Sequence, residues 1–259
     1  MTTLIAAQLR ERRRSLLSWG LPLGFWSAFV VSIFPSVQSA LTKVVRGYPP
    51  ALKKAFGVGE LSTVEQYLHA EMLSLIVPLA VGYLAVRSIS SGLSGAAESG
   101  RLDVLLSAPV SRRLLVAAGF CATALEIAAV LAVAVALALV ASLLSGAGLS
   151  FSLALAGFAN VWPLALLSGA LGILVTGFSL RTSVVTGSVA GVLVGMYVLD
   201  LVGRLDPSLD AVRYASVFRY YGKAVEDGID PVAFLGVTLA AVALAAVGAI
   251  LFERRDLFS

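Results

Sequence analysis

Long apolar runs alternate with short polar connections along the whole chain. Windows dominated by Leu, Val, Ala and Ile cover about residues 17–37, 72–92, 114–144, 151–178, 183–202 and 231–252. Each reaches the ~20 residues that cross ~30 Å of hydrocarbon at ~1.5 Å per residue. Lipid offers the backbone no hydrogen-bond partner, so the runs are expected as helices that satisfy their own N–H and C=O groups. Pro22, Pro35, Pro78 and Pro163 fall within or at the edges of these runs, where a missing N–H kinks a helix. The pattern predicts an all-α membrane protein with six transmembrane helices in one domain over residues 1–259.

The polar connections are of three kinds. "TTLIAAQLRERRRSLLSW" reads as a basic amphipathic helix over 2–15, lying along the inner interface and leading into the first span. That span exceeds the ~7–15 residues of a signal-peptide apolar core, which favours a retained helix. Residues 38–71 and 203–230 are long loops broken by Pro and Gly, and the second mixes Tyr214, Phe218, Tyr220 and Tyr221 with charges, as suits an interface. Residues 93–113 form the third kind, a short loop dense in charge.

Composition narrows the class. Hydrophobic residues make up 59% of the chain and charged ones 13%, and the mean hydropathy is +0.94. Soluble domains carry about a quarter charged residues. The net charge of +4 calls for no nucleic-acid partner, because the basic residues cluster at span ends. With both termini in the cytoplasm, Arg10, Arg12, Arg13, Arg14, Arg87, Arg101, Arg112, Arg113, Arg181, Arg254 and Arg255 face inward, 11 of the 19 Lys and Arg. This bias fits the positive-inside rule and a multi-pass protein of the plasma (inner) membrane. A single cysteine, Cys121, and a single histidine, His69, supply neither a disulfide within the chain nor a multi-ligand metal site, and no catalytic constellation stands out.

The 93–113 loop carries the most pointed chemistry. Leu102, Leu105 and Leu106 follow i, i+3, i+4 spacing, which gives one apolar face to a short helix. Arg101 and Asp103 lie off that face, Pro109 ends it, and Arg112 and Arg113 mark re-entry into the bilayer. Such a helix at the base of two spans can seat its leucines in a groove of a partner or rest on lipid headgroups.

"GAAESGRLDVLLSAPVSRRLLV" resembles the signature of ABC type-2 transporter permeases, with Glu98, Gly100, Leu102, Asp103, Leu105, Leu106, Pro109, Val110, Ser111 and Arg112 at the matching positions. The resemblance extends to "YLHAEMLSLIVPLAVGYLAV", "ASVFRYYGKAVEDGID" and "FERRDLF"; Arg101 stands where Thr is commoner. It implies a half-transporter: six helices, dimerisation with a second permease, and a cytoplasmic coupling helix between the second and third spans. That helix would dock on an ABC ATPase subunit through Glu98, Gly100, Arg101, Leu102, Asp103, Leu105, Leu106, Pro109 and Arg112. This chain has no G-x-x-x-x-G-K-[ST] sequence, so ATP and Mg belong to the partner and no cofactor is expected here. The implied activity is export of a hydrophobic or amphipathic compound such as a drug, antibiotic or lipid.

Within the spans, Glu126 is the candidate for a cavity contact or proton site, or for a structural residue bonded to a neighbouring helix. A charge at mid-membrane costs ~2.5–3.5 kcal/mol, so it needs a polar partner, water or a proton. Gly187, Gly191 and Gly195 clear one face of the fifth span for close packing, inside the protomer or across a dimer. Two other readings follow from the same residues: a proton-coupled carrier that uses Glu126, and a non-transporting membrane anchor for an ATPase engaged in extracytoplasmic maturation.

Overall fold

The computed structural model describes residues 13–49, 61–98 and 111–254. Ten α-helices are assigned there: α1 (Arg13–Arg46), α2 (Val64–Leu68), α3 (Ile76–Gly92), α4 (Ser94–Glu98), α5 (Arg112–Ser145), α6 (Phe151–Thr176), α7 (Thr182–Leu205), α8 (Val217–Tyr221), α9 (Ala224–Asp227) and α10 (Pro231–Arg254). A π-helical turn (His69–Leu73) and a 3-10 segment (Pro207–Ala215) complete it, with no strand among the described residues. Five helices are long and apolar enough to cross a membrane, and the bent pair Val64–Leu73 with Ile76–Gly92 makes a sixth crossing. The protein is an all-α membrane protein.

Several elements differ from the pattern in informative ways. α1 runs on to Arg46 instead of stopping near 37, because nothing breaks "QSALTKVVR" until Gly47 and Pro49. The second span is broken, bending by 41° ahead of Ile76. Pro78 supplies the reason: it lacks the N–H that would have bonded to the Ser74 carbonyl, and Ser74 itself bonds back five residues to His69 at 2.8 Å. Residues 203–230 form no single amphipathic helix. They divide at extended Ser216 and at Gly222 and Gly228, whose φ values of +61° and +86° suit glycine. The expected interfacial helix over 2–15 lies outside the described residues, apart from its end, which already belongs to α1.

α6 is the centre of the bundle and packs against α3, α5, α7 and α10. Its apolar stretch is 72% buried, against 22% for α7 and 17% for α10. Lipid tails are as apolar as leucine, so burial alone gives helices little reason to associate in a bilayer; close backbone approach does. The sequence provides it. A Cβ on Gly248 of α10 would stand 2.8 Å from the Leu174 backbone nitrogen of α6, so only hydrogen fits at that crossing. α1 and α5 form the other extensive contact. At 34 residues each they measure about 50 Å, longer than the ~30 Å hydrocarbon core.

The bundle has two distinct ends. One, the basal end, gathers the start of α1, the end of α3 with α4, the start of α5 and the end of α10. The other, the cap end, carries residues 207–227 folded over the bundle. Asn160 Nδ2 of α6 donates to the Tyr221 carbonyl, and Val225 of α9 fills the notch left by Gly157. Glu65 completes this end by accepting the Ser150 N–H at 3.0 Å where α6 begins.

Candidate functional site

At the basal end, the two flanks of residues 99–110 are tied to different helices. Glu98, at the end of α4, accepts the Thr182 N–H at Oε1 and the Thr182 hydroxyl at Oε2, both at 2.9 Å. Thr182 is the first residue of α7, so a carboxylate from 84 positions away caps that helix and complements its positive end. On the other flank, Ser111 caps α5 through its hydroxyl, which accepts the Leu114 N–H. The next residues reach α10: Arg113 pairs with the Glu253 carboxylate, and Arg112 donates to the Glu253 carbonyl at 3.4 Å. With Arg113 61% and Glu253 37% exposed, the pair is worth well under ~1 kcal/mol, and its value is positional. Gly100, Arg101, Leu102, Asp103, Leu105, Leu106 and Pro109 lie outside the described residues; Glu98 and Arg112 frame them.

Glu126 sits within α5, about 21 Å along the helix axis from Arg112, and is 1% exposed. The Ser88 hydroxyl of α3 donates to its Oε2 at 2.8 Å. Thr123, one turn away, is buried as well. α6 joins the same region through Trp162 Nε1, which donates to the Ala124 carbonyl at 2.9 Å. The carboxylate therefore lies in a packed, hydrogen-bonded junction of α3 and α5.

The glycine stripe takes the opposite position. Val185, Val189 and Leu193 of α7 pack on Val86 of α3. Gly187, Gly191 and Gly195 are each offset from them by two residues, about 200° around the helix, which turns the stripe away. A Cβ at any of the three would meet nothing within 4 Å. Of the two roles expected for the stripe, packing inside the protomer is thus not what it does among the described residues. The valines serve that packing instead.

The cap end holds an ion-pair network that the apolar pattern of the chain does not announce. Asp200, in the last turns of α7, is 1% exposed and pairs with Arg204 one turn on. It also accepts from Arg213 Nε at 2.9 Å. Arg213 reaches on to Asp210, and Arg219 bonds Asp210 at 3.1 and 3.2 Å while stacking 4.0 Å over the Tyr214 ring. The bonds from Arg213 and then Arg219 hold the Asp210 carboxyl below its ordinary range. Gly203 makes this reach possible, since a Cβ there would overlap Arg213 Cγ and stand 3.0 Å from the Leu209 carbonyl. The i, i+4 spacing of Asp200 and Arg204 and the i, i+3 spacing of Asp210 and Arg213 were the available signals.

Beneath this strap, a groove of about 530 Å³ opens between α7 and α10. Leu167 of α6 and Met196 of α7 line it, Gly236 belongs to its α10 wall, and Tyr214, Tyr220 and Asp230 lie on its cap side.

Five or six apolar crossings, a capped end and an apolar lateral groove make this a multi-pass helical membrane protein. Residues 1–253 match the family model described as multidrug efflux system permease Rv1217c, C-terminal domain, and the chain belongs to that family. A comparison with curated proteins gave no match.

Proposed function

We propose that this multidrug-efflux-type permease is the membrane half of an ATP-driven exporter. Its basal end faces the cytoplasm, where residues 99–110 dock on a separate ATPase subunit that carries ATP and Mg. The reading rests chiefly on one observation: the flanks of that segment are fastened to α7 through Glu98–Thr182 and to α10 through Arg113–Glu253. A displacement of the docked segment is delivered to two helices at once. Of the five long apolar helices, these are the two whose apolar stretches are least buried. The bare glycine face of α7 suits a second permease, of the same or another kind, because small residues let two helix backbones approach. The cargo in this reading is hydrophobic or amphipathic, a drug, antibiotic or lipid.

Affinity purification of the tagged chain from its native membrane in mild detergent tests the assembly. A stoichiometric ATPase subunit should accompany the wild type, and the double change Leu105→Asp with Leu106→Asp should remove it or uncouple its hydrolysis while the permease stays folded. Unchanged co-purification and unchanged cargo-stimulated hydrolysis in that variant would overturn the docking role.

A further inference from the structure

We propose that the groove between α7 and α10 is a binding site for a cationic amphiphile, with its apolar body along Leu167 and Met196 and its positive group beside Asp230. The inference deepens the exporter reading and rests on it for direction: with the basal end cytoplasmic, the groove lies in the outer half of the bilayer. Its lining on α10 runs from Asp230 to Ala240, about 15 Å along the axis, close to half of a ~30 Å hydrocarbon core. A molecule that fits has its apolar part at acyl-chain depth and its polar part at the headgroup level.

Three features set the charge of the occupant. Asp230 is the one charged residue lining the groove among the described residues. Its Oδ1 accepts the Val232 and Ala233 N–H groups, which fixes the carboxylate at the start of α10. Tyr220 places an aromatic ring on the same side, and a cation is attracted to a ring face as well as to a carboxylate, whereas Tyr214 already carries the Arg219 guanidinium on one face of its ring. The nearby guanidinium of Arg219 does not reverse this preference, because it is held by both Asp210 oxygens. The space itself comes from Gly236, where a side chain would project into the open: a Cβ there meets nothing within 4 Å.

The test uses the full-length permease in lipid nanodiscs, without an ATPase, and tetraphenylphosphonium as the probe, with uncharged triphenylphosphine oxide as its counterpart. Wild type should bind the cation saturably above empty discs and the neutral compound at least about tenfold more weakly. Asp230→Asn keeps an acceptor for the two N–H groups, so α10 still starts correctly, yet it should weaken cation binding about tenfold. Gly236→Leu fills the groove and should abolish binding, whereas Val140→Leu, at an exposed position of α5, should leave it unchanged. The proposal is overturned by wild type that shows no saturable binding, or by Asp230→Asn and Gly236→Leu that both bind as wild type. A cation that binds as described, but is not moved when ATP is supplied to the assembled complex, would leave the groove assigned and count against the exporter reading alone.

Discussion

Glu126 and Asp200 are both 1% exposed, yet their surroundings have little in common. Asp200 lies about 7 Å from the cap end of α7 and is met by two guanidinium groups, from Arg204 and Arg213. Glu126 lies deep in α5 and receives a serine hydroxyl. Near the end of a span an arginine can pair with a carboxylate and still extend its head toward water, as the 30% and 23% exposure of Arg204 and Arg213 shows. The two sites also do different mechanical work. The Asp200 pair fastens a loop strap to a helix, whereas the Glu126–Ser88 bond joins two helices that are already packed.

Removing the charge should therefore cost most where a carboxylate anchors the strap through two arginines. The largest effect is expected from Asp200→Asn, which preserves shape but leaves two arginines without their buried anion. Losing one member of a buried ionic group costs ~3 kcal/mol or more, and the partial exposure of these arginines places the loss toward the lower end. For a chain of this size that is a fall in Tm on the order of 5–10 °C, readable by thermal unfolding in detergent. A variant as stable as wild type would show that the strap holds by packing alone and would erase the contrast with Glu126.

Gly203→Ala attacks the same strap from its backbone. The new methyl would overlap Arg213 Cγ and press on the Leu209 carbonyl, so either the arginine leaves Asp200 or the 3-10 segment lifts. Overpacking of this kind costs about 1–3 kcal/mol. Because both changes act through the Asp200–Arg213 contact, the double variant should lose clearly less than the sum of the two single losses. Strict additivity in that cycle would mean that Gly203 serves some purpose other than making room for Arg213.

What could be read from the sequence divides along similar lines. The apolar runs, the class of fold and the polar character of residues 203–230 follow from local composition, which the bilayer enforces without help from tertiary contacts. Glu126 also stood out, because one acidic residue in an apolar run is conspicuous. Partners remote in sequence were invisible: Ser88 is 38 residues from Glu126, Thr182 is 84 from Glu98, and Glu253 is 140 from Arg113. The glycine stripe of α7 was legible as a stripe, but its direction was not. That depended on which face α3 would take, and the valines two positions away won it. Asp200 sits near the end of its run, where a charge reads as ordinary boundary chemistry, and only the fold shows it buried.

The smallest expected effect belongs to Glu126→Gln. The amide keeps an oxygen to accept the Ser88 hydroxyl and nearly the same volume, so stability should stay within ~1 kcal/mol of wild type. In an exporter driven by a partner ATPase, cargo movement should stay within about twofold, since exchange of a proton at this position has no part in the cycle. Glu126→Leu separates packing from polarity: it removes the acceptor that the Ser88 hydroxyl uses and should cost ~1–3 kcal/mol more than the glutamine. Transport assays on both variants, in membranes where the intact complex is verified first, decide the matter. If Glu126→Gln abolished transport without lowering Tm, the carboxylate would be acting through its ionisation and not through its shape. The deep site would then be as dependent on charge as Asp200, and a proton-coupled carrier would become the better account of what this permease does.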